Sequence, residues 1–318
     1  MRRRGLLGAA LAAPSLARAA WPDRPLRMVV AYPAGGGTDL MARAVVQQMQ
    51  AELGQTIIVE NRSGATGSIG AAAVATAAPD GYTLLFINGS DLTLRPLLDR
   101  STSYDVDRDF VLITLLGITP VVLAVRAGLP ARSVAELVAL ARASRQPLTC
   151  ANTGAGGMMH LTSEVFRQRA GIALEQIPYR GAAPAVNDTA AGQVDMIFVG
   201  LPPVLPHAQS GRLRILAVTT PRRTPSAPEV PTLDEQGMPG FDMSNAVGMA
   251  APRGTPAEII ARLNAAGRAA VAHPRVQEIF RRNGADTVGT SAEDYVAYTR
   301  AERERFAEVI RTTGFRAE

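Results

Sequence analysis

The sequence is short of the residues that usually anchor chemistry. Its 318 residues include one cysteine, three histidines and one tryptophan. A single cysteine excludes an intramolecular disulfide and a metal site built on paired thiolates. Cys150, in Leu148-Thr149-Cys150-Ala151, reads as a small hydrophobe in a buried strand. His160, His207 and His273 are widely separated and stand in no ligating spacing such as H-E-x-x-H, so no metal or other cofactor is expected. Aromatic residues make up 5% of the chain, too few for the stacking platforms of a nucleic-acid binder. Lysine is missing, all 33 basic residues being arginine. The formal charge of +5 is concentrated at the start: the first twenty residues hold four arginines and no acid, which leaves 29 basic against 28 acidic residues and a net charge of +1. Such a balance gives no footprint for a polyanion, and nucleic acid is excluded as a partner. The chain has neither the G-x-S-x-G elbow of a hydrolase nor the G-K-[ST] ending of a P-loop. An exported hydrolase would need a nucleophile–base pair or a metal cluster, and the sequence offers neither, so no catalytic residue is assigned.

What is present begins with an export signal. Arg2, Arg3 and Arg4 precede an apolar run over residues 5–13, and Ala17-Arg18-Ala19 follows just before Ala20 and Trp21. A basic start, a short apolar middle and an A-x-A-like end are the anatomy of a cleaved secretory signal. The run is too short for the ~20 residues of a membrane span, and no later run reaches that length. Residues 1–20 are therefore read as a signal peptide, open to the Sec or the twin-arginine route, and the protein is expected in the periplasm.

The remaining residues, about 300, reach the ~250–300 at which single cores stop growing, so two lobes are expected. Short β-branched runs alternate with longer Ala/Leu/Arg stretches, the pattern of α/β structure. Strands are expected over residues 26–32, 57–60, 83–88, 121–125, 148–152, 174–178, 195–199, 213–219 and 246–251, and the last 60 or so residues read as mainly helical. One device occurs in each half: a strand, a glycine-rich turn, then a helix start. The first turn is Pro33-Ala34-Gly35-Gly36-Gly37, followed by Thr38 as N-cap and Asp39; the second is Thr153-Gly154-Ala155-Gly156-Gly157. A helix start leaves about four N–H groups unpaired and carries partial positive charge, which makes an anion site without a basic side chain. Glycine lets a ligand approach that backbone closely. Asp39, in the first helical turn, is expected to order the first loop.

These turns belong to a longer set of segments. They include Pro33-Ala34-Gly35-Gly36-Gly37-Thr38-Asp39, Val59-Glu60-Asn61-Arg62 and Ala78-Pro79-Asp80-Gly81-Tyr82-Thr83-Leu84-Leu85. Pro178-Tyr179-Arg180-Gly181, Gly192-Gln193-Val194-Asp195-Met196, Val230-Pro231-Thr232 and Ala251-Pro252-Arg253-Gly254-Thr255-Pro256 continue it. In this order the set resembles the periplasmic solute-binding proteins of tripartite tricarboxylate transporters, the Bug or TctC family. The resemblance implies an α/β, two-lobed periplasmic binding protein (type II, Venus-flytrap) with a ligand cleft between the lobes. Lobe 1 would comprise residues 21–124 and 246–318, and lobe 2 the inserted residues 125–245. It implies a monomer that captures a small carboxylate and hands it to the membrane permease subunits of the transporter; a sensor reporting to a signalling partner is the alternative. Carried over by position, the ligand contacts are Ala34, Gly35, Gly36, Gly37, Thr38, Asp39, Asn88 and Ser90 in lobe 1. Those of lobe 2 are Thr153, Gly154, Ala155, Gly156, Gly157, Tyr179 and Arg180. Arg180 stands where the family usually has lysine and offers a planar fork to a carboxylate. Val199 follows Phe198 where many members have an acid. An apolar cleft floor at Val199 disfavours an ammonium group and points to a simple or aromatic carboxylate.

Overall fold

The structure, a computed structural model, describes residues 21–99, 101–153, 157–179 and 181–315. The chain first lays down β1 (Leu26–Val30), α1 (Gly37–Leu53), β2 (Ile57–Asn61), α2 (Ser68–Ala75), β3 (Thr83–Asn88), α3 (Gly89–Leu98), α4 (Val106–Asp109) and β4 (Phe110–Thr119). After Pro120 come β5 (Val121–Arg126), α5 (Val134–Ala143), β6 (Leu148–Asn152), α6 (Met158–Ala170), β7 (Leu174–Pro178), α7 (Ala182–Ala190), β8 (Met196–Gly200), α8 (Leu205–Gln209) and β9 (Leu213–Val218). The return consists of β10 (Asn245–Pro252), α9 (Ala257–Ala272), α10 (Pro274–Arg282), β11 (Asp286–Thr287) and α11 (Ala292–Thr313).

Two sheets result. One runs in the order β11-β4-β10-β3-β1-β2 and the other β7-β6-β8-β5-β9. Each has a parallel part, β2-β1-β3 in the first and β7-β6-β8 in the second, with antiparallel strands beside it. Helices cover both faces, so alternate residues of one strand enter different cores. Met28 and Val30 pack with α1 and α9, while Val29 and Ala31 pack with α2 and Tyr295. In β5, Val121, Leu123 and Val125 face one core and Val122 and Ala124 the other. Cys150 lies in the second sheet as a fully buried thiol, and burial pushes it up to about 12.

The sheet crossing falls at Pro120, earlier than the 124/125 boundary read from the sequence, because Val121–Arg126 pairs wholly within the second sheet. The outward and return crossings lie side by side. The Thr219 hydroxyl is 3.1 Å from both the Val121 and the Met243 carbonyl oxygens, joining the two passages at one point. The C-terminal helix also serves both sheets rather than the first alone. Tyr295 fills the first sheet's core, whereas Phe306, with Phe315 just beyond the helix end, completes that of the second. A 22-residue helix is about 33 Å long, enough to reach both. Replacing the fully buried Phe306 by alanine is expected to lower the unfolding free energy by ~3–5 kcal/mol in denaturant titrations. A loss under about 1 kcal/mol would mean that the helix end only rests on the second core.

Candidate functional site

The carboxyl ends of the parallel strands β3 and β6 face each other across a cleft of about 290 Å³. Ligands of open α/β sheets bind at such strand ends, and small-molecule sites begin near this volume. Thr66, Asn88, Asp91, Leu94, Arg95 and Leu98 form the wall on the first-sheet side, with Asn245 from the return crossing. Thr153, Gly157, Met158 and Met159 form the wall on the second-sheet side. The start of α6 therefore opens into the cleft. Its N-cap is Gly157, and no side chain caps it. Gly154, Ala155 and Gly156, as well as Arg180, lie outside the described residues.

The first glycine turn borders this space without forming its wall. Ala34, Gly35, Gly36 and Gly37 are exposed, and Thr38 Oγ1 is 3.5 Å from Asn88 Oδ1 at the cleft edge. The N-cap of α1 is Gly36, not Thr38, and again no side chain caps the helix start. Gly35 sits at φ 80°, a left-handed conformation that favours glycine.

Asp39 explains how an exposed turn of three glycines keeps a shape. Its carboxylate is buried and accepts from the Gly35 N–H at 2.9 Å, from Arg43 Nε at 2.9 Å and from Asn61 Nδ2 at 2.8 Å. Asn61 Nδ2 also donates to the Tyr32 carbonyl at 3.0 Å, so the end of β2 clamps both arms of the turn. Burial alone would raise the Asp39 carboxyl; the hydrogen bonds from Arg43, Asn61 and Gly35 outweigh it and hold the group below its usual range. Both oxygens are engaged in this network, which makes Asp39 a positioning residue. A hydrogen bond to a charged group contributes ~1.5–3 kcal/mol, so Asp39→Ala is expected to speed amide exchange at Gly35 about ten-fold or more, with helix content unchanged. Unaltered protection would mean that the turn holds itself.

Three expected contacts point elsewhere. Ser90 is fully buried, and its hydroxyl donates to Glu302 Oε1 at 2.7 Å, because the first turn of α3 directs it under the helix toward α11. Val199 is also buried. As the neighbour of Phe198 on a strand covered on both faces, it enters the core with Val122, Val186 and Val204, and it is not the cleft floor. Tyr179 is half-buried and spends its hydroxyl on Asp188 of α7 at 2.9 Å; it is not among the residues of the cleft wall.

The sequence reading missed the helix that supplies much of the first-sheet wall. From α3, Asp91 and Arg95 face the cleft one turn apart. Tyr32 Oη donates to Asp91 Oδ2 at 2.5 Å, and Asn88 Nδ2 lies 3.4 Å from the same oxygen. Burial pushes the Asp91 carboxyl up to about 6, against the pull of these two donors. The folded protein thus holds this proton more tightly than the unfolded chain does. Stability from Asp91 is complete below the ordinary aspartate value of about 3.9 and declines as pH rises to about 6. Asp91→Asn is expected to melt with the native protein below pH ~4 and to be more stable above pH ~6, by on the order of 2 kcal/mol. A difference independent of pH in paired thermal melts would assign the effect to packing.

The chain matches the model of the tripartite tricarboxylate transporter family receptor, TctC, over residues 41–315. It is similar to the periplasmic binding protein BugD, with 33% identity and a TM-score of 0.76 over 94% of this chain and 100% of that one. It is similar to R. palustris Rpa4515, solved with adipate, with 34% identity and a TM-score of 0.80 over 93% and 99% of the two chains. MatC from Rhodopseudomonas palustris, solved with bound malate, shares 30% identity and a TM-score of 0.75 over 91% and 100%. The fold is that of the two-lobed periplasmic binding proteins, one sheet to each lobe. Among the described residues no helix is long and apolar enough to cross a membrane. The chain belongs to the TctC family of tripartite tricarboxylate transporter receptors, as a substrate-binding protein and not an enzyme.

Proposed function

We propose that this protein captures a small organic carboxylate in the cleft and delivers it, from the periplasm, to the membrane subunits of a tripartite transporter. The observation that carries the reading is the pair of uncapped glycine helix starts at one site. That of α6 opens into the cleft wall, and that of α1 borders it through Thr38 and Asn88. Helix-start N–H groups and dipoles suit an anion. The adipate and malate bound by two relatives are ligands of this chemistry. Three or four charge-assisted hydrogen bonds at ~1.5–3 kcal/mol each reach the roughly 8 kcal/mol of micromolar binding. Rotation of one lobe on the other about the paired crossings at Thr219 excludes water from these contacts and strengthens them.

The reading is tested by thermal melting of the purified protein with di- and monocarboxylic acids and with their carboxamides. A ligand at ~100 times its dissociation constant stabilises by about 2.7 kcal/mol, a readable shift. Acids are expected to raise the melting temperature and amides to leave it unchanged. Stabilisation by the amides alone would reject an anion site.

A further inference from the structure

We propose that Asp91 makes this cleft selective for carboxylates that also carry a hydrogen-bond donor, a hydroxyl or an ammonium group, over the unsubstituted acids. The inference rests on the carboxylate reading above and names the ligand class within it. Asp91 and Arg95 stand at i and i+4 on α3, the spacing at which a helix forms an ion pair. They do not form one: Arg95 Nη2 turns to Asp99 Oδ2 at 2.6 Å. Among the described residues no cation pairs with Asp91. Its donors, Tyr32 and Asn88, both address Oδ2, and Oδ1 accepts no hydrogen bond from any described residue. An acid with one oxygen unserved thus stands in the wall of the cleft.

The described side chains opposite do not remedy this. Among the described residues, Thr153, Met158 and Met159 stand across the cleft, none of them charged. Thr153 carries a hydroxyl that can serve one acceptor, whereas the two methionines offer apolar surface. When the cleft closes on an unsubstituted acid, Asp91 loses water and gains no proton donor, which is costly. A ligand hydroxyl or ammonium on Oδ1 replaces that water, and a site built for a donor rejects the analogue lacking it. Asp91 also repels a second carboxylate placed beside it, which weighs further against simple diacids. The apolar surface of Leu94, Leu98 and Met158 accommodates the carbon skeleton. Val199, buried in another core, removes the sequence argument against an ammonium group.

The experiment is calorimetric titration of the purified protein with matched sets: succinate, malate and aspartate; butyrate with its 2- and 3-hydroxy and amino derivatives; phenylacetate, mandelate and phenylglycine. Within the best-bound set, at least one donor-bearing acid is expected to bind ten-fold or more tighter than its parent. Asp91→Ala is expected to erase that preference by weakening the substituted acid ten-fold or more. Asp91→Asn, nearly isosteric and still an acceptor for Tyr32, should keep hydroxy acids and lose amino acids; its melting curve and circular dichroism verify the fold. Equal or tighter binding of the parent acids, or equal weakening of parent and substituted acids in Asp91→Ala, overturns the role of Asp91 and leaves the carboxylate reading intact. If no carboxylate binds in any set, both readings fall.

Discussion

A glycine turn binds an anion only if something other than the anion holds its shape. Three consecutive glycines have more conformational freedom to lose than any other tripeptide, and a ligand that had to order them would spend its interactions on doing so. Here the ordering is done in advance by one buried carboxylate. Asp39 is fixed by α1, receives the Gly35 N–H from the turn, and is held from the side by Arg43 and Asn61. Asp39 holds the turn without accepting a first-turn N–H of α1, and Gly36 brings no side chain to the helix start, so no side chain caps it. Asn61 ties the arrangement to β2, which gives Val59-Glu60-Asn61-Arg62 a structural meaning: the segment is the buttress of a turn distant in sequence.

The same economy joins the two sheets. They are connected by two crossings held together at Thr219 and by a single helix that reaches both cores. Between the sheets, α3 presents one side to the cleft with Asp91 and Arg95 and the other to α11, where Ser90 and Thr93 donate to Glu302 at 2.7 and 2.8 Å. The wall of the cleft is therefore fastened to the element that spans both lobes. Displacing α3 would leave a buried acid without its donors, a penalty well above that of losing a surface contact.

Much of this architecture was legible because local and global preferences agree. A strand followed by a helix that starts at a glycine N-cap appears in both halves, and Cys150 is the core residue its neighbours suggested. The failures have physical causes. Helix α3 was passed over because Gly89, Ser90, Asp91 and Thr93 favour turns and Pro96 interrupts the pattern; its helix forms by burying Leu92 and Leu94 in different cores. With it went both charged residues of the described cleft wall. Strand β4, Phe110–Thr119, was missed because both of its faces are covered, so no alternation marks it. That property also misdirected Val199. Period two says that Phe198 and Val199 face opposite ways, but where helices cover both faces it cannot say which way is the cleft.

Three buried or half-buried acids cluster around this site, and their environments separate their roles. At Asp39 both oxygens are taken by donors that include an arginine, and its carboxyl is held low, as befits a fixed negative strut. At Glu302 burial raises the carboxyl to about 7, yet each oxygen meets a hydroxyl, Ser90 on one and Thr93 on the other, so the group is satisfied where it stands. Asp91 shares the desolvation of Glu302 but not its completeness: Tyr32 and Asn88 serve one oxygen, and the other accepts from no described residue. A fold selected for stability alone would pair Arg95 with its natural i,i+4 partner and neutralise the charge. Here Arg95 is spent on Asp99, and the residual cost is left standing in the cleft wall. On the reading proposed for Asp91, a bound molecule supplies the one donor that Oδ1 lacks.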